Sequence, residues 1–222
     1  MAKAAPPTSR TRVRRLPARG AYDRSVIDEI LDEGLVAHVG FVHDGAPFVI
    51  PMGYARDGDR ILLHGSAASR LMRLLASGVE AAVTVTLLDA LVLARSAFHH
   101  SMNYRSVVVL GRPSEVRDDE AKRRALDCLV DRLVPGRASD SRPANEIELR
   151  ATLVAELPIH EASAKARSGP PSDDDEDLAL PHWAGLIPAR TVWGPPEPAP
   201  DLRPGIEAPA YAAGYRRPGE AG

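Results

Sequence analysis

Two Asp-Gly dipeptides, Asp44-Gly45 and Asp57-Gly58, cut the stretch LVAHVGFVHDGAPFVIPMGYARDGDRILLHG, residues 35–65, into three apolar runs. Asp-Gly readily takes the backbone conformation of a tight hairpin turn, so the flanking runs pair as antiparallel neighbours. An antiparallel meander is therefore the element around which the rest of the chain has to be placed.

The segments on either side complete a mainly β pattern. DRSVIDEILDEG reads as a helix, with Asp23 as N-cap, Val26, Ile27, Ile30 and Leu31 on one face, and Gly34 as its stop. SAASRLMRLLASG has Leu71, Leu74 and Leu75 at helical spacing and Gly78 as C-cap. EAAVTVTLLDALVLARSAF reads as two strands around a turn near Asp89, and YRSVVVLGRPSEV as a long sixth. DDEAKRRALDCLVDRLVPG is a helix capped by Asp118 or Asp119, and TLVAELPIHEASAKARSG supplies a last strand. Six or seven antiparallel strands with short flanking helices predict a closed or nearly closed β-barrel, which also removes exposed sheet edges.

Three stretches follow along the chain. Residues 1–20 form a basic arm, read as solvated in preference to phosphate-binding, and 21–169 carry the periodic segments of the barrel. From 170 to 222 the chain holds 11 of its 20 prolines and an acidic run, SDDDEDLAL. Such a tail cannot form a continuous helix or a central strand; it wraps the barrel or stays partly disordered. The net charge of -2 gives no general attraction to nucleic acid or membrane. No run of roughly 18 apolar residues suggests a spanning helix, and one cysteine, Cys128, suits a reducing cytoplasm. Cys128 falls in a helical pattern, where it reads as a small core residue.

Two segments carry candidate chemistry. LHGSAASRLMRLL leaves a strand through Gly65 and enters a helix, so Ser66, Ser69 and Arg70 are either phosphate donors at a helix start or ordinary capping and surface residues. In FHHSMNYRSVVVLG, alternation puts Asn103, Arg105 and Val107 on one side and Tyr104, Ser106 and Val108 on the other. Both sides begin polar and become apolar, as a strand does when one end reaches a site and the other enters a core. Arg105 then requires a carboxylate, carbonyl or phosphate partner. No metal site is expected, because adjacent His99 and His100 point apart on an extended chain and no zinc-type spacing occurs. The nucleophile elbow, GxGxxG and Walker patterns are absent as well.

The ordered set Gly40 to Tyr54, Leu63 to Arg70, Val83 to Phe98 and Asn103 to Gly111 resembles the pyridoxamine 5'-phosphate oxidase-like superfamily, more narrowly its flavin-nucleotide-binding branch that includes nitroimidazole-resistance reductases. SAKARSGPPSDDDED with PHWAG, Ser163 to Gly185, is similar to that branch too. The resemblance implies a six-stranded antiparallel split β-barrel that forms a homodimer and holds FMN at the subunit interface.

By motif match, Ser66, Ser69 and Arg70 would meet the FMN phosphate, with His64 beside them. Pro51, Gly53, Thr84, Val85 and Thr86 would approach the flavin ring or ribityl chain. Asn103, Tyr104, Arg105 and Ser106 would border it, and Lys165, Arg167 and Trp183 would reach across from the partner. The same residues also admit structural readings: Thr84 and Thr86 as strand formers, Lys165 and Arg167 as flanks of the acidic run, Trp183 and Trp193 as anchors of the tail. His100 and Tyr104 are the candidate catalytic proton donors. The chain ends in ARTVWGPPEPAP and YRRPGEAG, without the R-x-x-W and R-L-x-P finish that grips the vitamin phosphate, so oxidation of pyridoxamine phosphate is not expected. The implied activity is an FMN-dependent oxidoreductase reducing a small organic acceptor, a nitroaromatic compound being one such acceptor, with electrons from NAD(P)H. The alternatives are a deazaflavin-dependent reductase or a non-catalytic haem- or flavin-binding barrel with His64, His99 or His100 as axial ligand.

Overall fold

At Asp44 and Gly45 the backbone takes φ of 51° and 75°, the left-handed pair that a two-residue hairpin needs and that Asp-Gly supplies at little cost. The hairpin joins two of ten strands in a computed structural model that describes residues 8–217. In chain order the elements are β1 (Gly20–Ala21), α1 (Arg24–Glu33), β2 (Val36–His43), β3 (Ala46–Asp57), β4 (Arg60–Ser66), α2 (Arg70–Ala76), β5 (Ala81–Leu93), β6 (Ser101–Gly111), β7 (Ser114–Glu115), α3 (Asp119–Leu133), α4 (Glu146–Ala151), β8 (Thr152–Pro158), β9 (Glu161–Arg167), β10 (Gly185–Pro188) and α5 (Ala210–Ala213). The strands follow the order β1-β9-β6-β5-β2-β3-β4-β8-β7, with β10 added on β5. The fold is mainly antiparallel sheet with flanking helices, consistent with a split barrel.

The chain divides into two compact units. The first takes residues up to Met52 with Glu80–Gly111 and Ile159–Arg190. In it β5 pairs with β6 along its whole length, β6 pairs with β9, and the other edge of β5 is shared between β2 at Ala81 to Thr84 and β10 at Ala90 to Leu93. One side of this sheet is packed: Ala37, Val39, Phe41, Val83, Val85, Val107, Val109 and Ala164 are buried, as are Ile27, Ile30 and Leu31 of α1. The α1 cap and stop fall at Asp23 and Gly34, where the sequence placed them. Each of the buried valine, isoleucine, leucine and phenylalanine side chains contributes roughly 1.5–3 kcal/mol on burial.

The second unit takes Gly53–Val79, Arg112–Pro158 and the chain from Thr191. Here β4 lies between the end of β3 and β8. Its core packs Ala55, Leu62, Val116, Ala125, Leu129 and Val154, with Cys128 against it, and burial raises the thiol's pKa. Asp118 caps α3 by accepting from the Ala121 N–H at 2.8 Å.

Several elements differ from the sequence expectation. The sheet has ten strands, not six, because short pairings at β1, β7 and β10 carry too little periodicity to read. Residues 81–93 form one strand, not two, and Asp89 marks a bulge between Leu88 and Ala90 instead of a turn. The last expected strand is two, β8 and β9, reversing at Ile159 and His160. The helix α4 was not expected, although Asn145 and Glu148 close a full capping box around its start. Of the basic arm, residues 1–7 lie outside the described residues, as do 218–222 of the tail.

Candidate functional site

The unpacked side of the first unit's sheet collects the polar residues that alternation keeps out of its core. Register puts Thr86 beside Ser106 and Ser106 beside Lys165, across β5, β6 and β9. The next row holds His38, Thr84, Val108 and Ser163. The Ser106 hydroxyl donates to the Lys165 carbonyl at 3.1 Å. Hydroxyls and an ammonium on adjacent strands form a donor set suited to an anionic ligand. Val85, assigned with Thr84 and Thr86, points the other way and is 1% exposed. Pro51 lies on the exposed side of β3.

Further along β6 the sequence candidates are held by the protein itself. Arg105 donates to Glu33 and, through Nε and Nη2, to Asp89, with Nη2 to Asp89 Oδ1 at 2.7 Å. Hydrogen bonds to Glu33 first and to Asp89 second raise the guanidinium pKa above its usual value against the opposing effect of burial. The partner anticipated for Arg105 is thus a pair of carboxylates. Asn103 is buried; its amide nitrogen donates to the Gly169 carbonyl at 3.1 Å, and its oxygen accepts from Arg167. Tyr104, half-buried, faces outward between Leu88 and Arg167. Trp183 is 68% exposed and its indole lies over Gly185, where a side chain would collide with Cη2 and Cζ2 at 2.8 Å.

The turn before β6 places His99 and His100 in different settings. His99 Nε2 lies 3.1 Å from the Asp174 carboxylate, and with Asp177 these groups bring ligand atoms within 4.8 Å of one another. His100 Nδ1 lies 3.0 Å from the Ser96 carbonyl, which can only accept, so a neutral His100 carries its proton on Nδ1 and presents a bare Nε2. The turn is fastened by Asp173, which accepts from the Arg95 N–H at 2.7 Å and from its guanidinium at 2.9 Å.

In the second unit, Gly53, His64, Ser66, Ser69 and Arg70 line the end of β3, the end of β4 and the start of α2. Space around Gly53 is open, with nothing within 4 Å of a built Cβ. Ser69 is the α2 N-cap, accepting from the Met72 N–H at 3.5 Å, while Ser66 accepts from the Ala68 N–H at 3.2 Å. The Ser69 hydroxyl thus caps the helix, and that of Ser66 closes the turn before it. The His64 imidazole has no hydrogen-bond partner among the described residues, and desolvation lowers its pKa, favouring the neutral ring.

Sequence reasoning missed His38 and Ser163. The alternation of Ala37, Val39 and Phe41 as buried residues would have put His38 on the outward side.

The sequence pattern of the family described as pyridoxamine 5'-phosphate oxidase matches residues 23–166, and the chain belongs to that family. Among solved structures it is similar to the flavocytochrome Anf3 from Azotobacter vinelandii, at 44% identity and a TM-score of 0.90, over 95% of this chain and 98% of that one. It is likewise similar to the FAD and heme binding protein from Mycobacterium smegmatis, at 41% identity and a TM-score of 0.86, over 90% and 98% of the two chains. A structure assigned to 5-nitroimidazole antibiotic resistance from Bacteroides thetaiotaomicron shares 22% identity over 66% of this chain and 85% of that one, with a TM-score of 0.56, a likeness of fold alone. No curated protein matches the chain. Among the described residues no helix is long and apolar enough to cross a membrane.

Proposed function

We propose that the protein is a redox protein that binds a flavin and a haem and works as a homodimer. The observation that carries this reading is the near full-length similarity, above 40% identity, to a flavocytochrome and to a protein that binds FAD and haem. It joins two alternatives that the sequence alone kept apart, the flavin enzyme and the haem-binding barrel. A flavin and a haem in one protein supply two-electron and one-electron chemistry together.

The residues present suit both groups. Thr84, Thr86, Ser106 and Lys165 offer hydroxyl and ammonium donors to a flavin phosphate on the outward side of the sheet. His100 suits an axial ligand, because a carbonyl holding the Nδ1 proton fixes the ring and leaves Nε2 as the donor atom. His64, neutral and without a partner, is the candidate of the second unit. The dimer is supported by Val36, Leu88, Leu91, Met102 and Ile187, all on the outward side of the sheet and all between 44% and 52% exposed. Apolar side chains grouped this way on a sheet face suit contact with another protein surface. A nitroaromatic acceptor has only the 22% identical structure behind it and is not part of this reading.

The test is the absorbance spectrum of the protein as purified and after incubation with FMN, FAD and haemin. A flavin band bleached by NADH or NADPH, together with a Soret band, is expected. A protein that takes up neither group overturns the proposal, and a monomer in sedimentation removes its dimeric part.

A further inference from the structure

The N-terminal arm was expected to be solvated, yet from Thr8 it is fastened to the first unit. Arg10 pairs with Glu80 and Glu161, and Thr8 also donates to Glu161. The Val13 N–H donates to the Tyr22 hydroxyl at 2.8 Å. Val13 also lies against Gly20 so closely that a Cβ there would meet its Cβ and Cγ2 at 2.9 Å. The arm is thereby laid along β6 and β9, and a hollow of about 300 Å³ remains between them. This volume falls at the lower end of the roughly 300–1,000 Å³ typical of ligand clefts.

The lining is one-sided in charge. Arg10, Arg12, Arg14, Arg15 and Lys165 surround it with Thr11, Ser106 and Ser163, and no carboxylate lines it among the described residues. Arg10 is neutralised by its two glutamates. Arg12, Arg14, Arg15 and Lys165 have no ion-pair or hydrogen-bond partner for their side chains among the described residues, so four positive charges face one hollow uncompensated. Like charges held together in this way repel one another, and an anion relieves that cost.

The hollow is also elongated. Its floor includes Ser106, Val108 and Leu110 of β6, which at roughly 3.3 Å per residue span about 13 Å. A single phosphate would engage a fraction of that length. The donors cluster around Ser106, Ser163 and Lys165, while Val13, Val108 and Leu110 offer apolar contact alongside, as a nucleoside joined to phosphates would require.

We infer that the N-terminal arm and the outward side of β6 and β9 form a binding site for the diphosphate of a dinucleotide, clamped by Arg12, Arg14, Arg15 and Lys165. The site rests on the flavin reading above only in the choice between a flavin and a nicotinamide dinucleotide. A flavin dinucleotide bound here would be held by the arm in addition to the contacts that FMN could make.

The experiment is calorimetric titration of the full chain with inorganic pyrophosphate, orthophosphate, FAD, FMN and NADH. Each is repeated with the triple variant Arg12→Gln, Arg14→Gln, Arg15→Gln and with Gly20→Ala, which unseats Val13 while keeping every charge. Pyrophosphate should bind more tightly than orthophosphate, and the triple variant should weaken it at least tenfold. A tenfold loss for FAD with FMN unchanged assigns the site to the flavin; a loss confined to NADH assigns it to the nicotinamide dinucleotide. Equal binding of pyrophosphate and orthophosphate, or wild-type affinities in the triple variant, overturns the inference even if flavin binds. Arm-dependent pyrophosphate binding in a protein that takes up no flavin upholds the site and overturns the flavin reading instead.

Discussion

The Arg105 guanidinium donates to Glu33 at the end of α1, Nη2 to Oε1 at 2.8 Å, and so ties that helix to the strand β6. The same guanidinium also holds Asp89 on the bulge of β5. Removing it takes away the cation that the two carboxylates share. Arg105→Met should therefore cost about 1–3 kcal/mol in urea unfolding, in the range of hydrogen bonds to charged groups. Flavin uptake should survive at protein concentrations where the variant is folded. Unchanged stability with lost uptake would instead make Arg105 a ligand contact.

Asp173 gives a pH signature. Burial pushes its carboxyl pKa up, but hydrogen bonds from the Arg95 backbone and guanidinium outweigh this and hold it below the usual range. The unfolded chain consequently takes up the proton first, near a pH of about 3.9. The stabilisation is present above that value and is lost as the pH falls toward the folded-state pKa. Thermal midpoints of wild type and Asp173→Asn should differ near neutrality and converge on acidification; parallel curves would dismiss the Asp173 contribution.

Packing of α2 depends on a missing side chain. A Cβ on Gly65 would lie 2.9 Å from Met72 Cγ, and Met72 is 1% exposed. Gly65→Ala should cost about 1–3 kcal/mol through overpacking. Adding Met72→Ala should show coupling, since the second truncation opens the space that the first one needs. Strict additivity in denaturant titrations would mean that α2 shifts freely to accommodate the methyl group.

For the haem, His100→Ala should abolish or shift the Soret band of the reconstituted protein while the flavin band stays. His64→Ala is the companion variant. If only the latter removes the band, the axial ligand belongs to the second unit, and loss in neither leaves both histidines outside the haem site.

Local chemistry made the long elements legible. Asp118 marks the start of α3 because a cap acts within one turn, whereas Asp23 and Gly34 bound α1 without a side-chain cap bond or a left-handed glycine, and Asp44-Gly45 fixes the β2–β3 hairpin through backbone preference alone. The bulge at Asp89 was not legible, because an extra residue leaves the composition of a strand unchanged and shows only in its pairing. β10 escaped notice because four residues ending in Pro188 have no periodicity to detect. At the candidate site, alternation correctly separated Asn103, Arg105 and Val107 from Tyr104, Ser106 and Val108. The nearness of Arg12, Arg14 and Arg15 to Lys165 is a long-range pairing through β1 and β9, which no local pattern encodes.

Asp89 also decides the parity of β5. Ahead of it the odd-numbered Val83 and Val85 are buried; beyond it the even-numbered Ala90 and Val92 are. One inserted residue thus reverses which numbers point inward while keeping the apolar ones in place. Deleting it would leave Leu88 opposite Tyr104 and Ala90 opposite Asn103 in plain alternation, so Ala90 and Val92 would stay inward, and what goes is the carboxylate that Arg105 holds. Lost with it is the Asp89 carbonyl, which accepts from the Ala189 N–H at 2.9 Å just beyond β10. A single unpaired residue in the middle of a strand therefore serves as the mooring point for the proline-rich end of the chain.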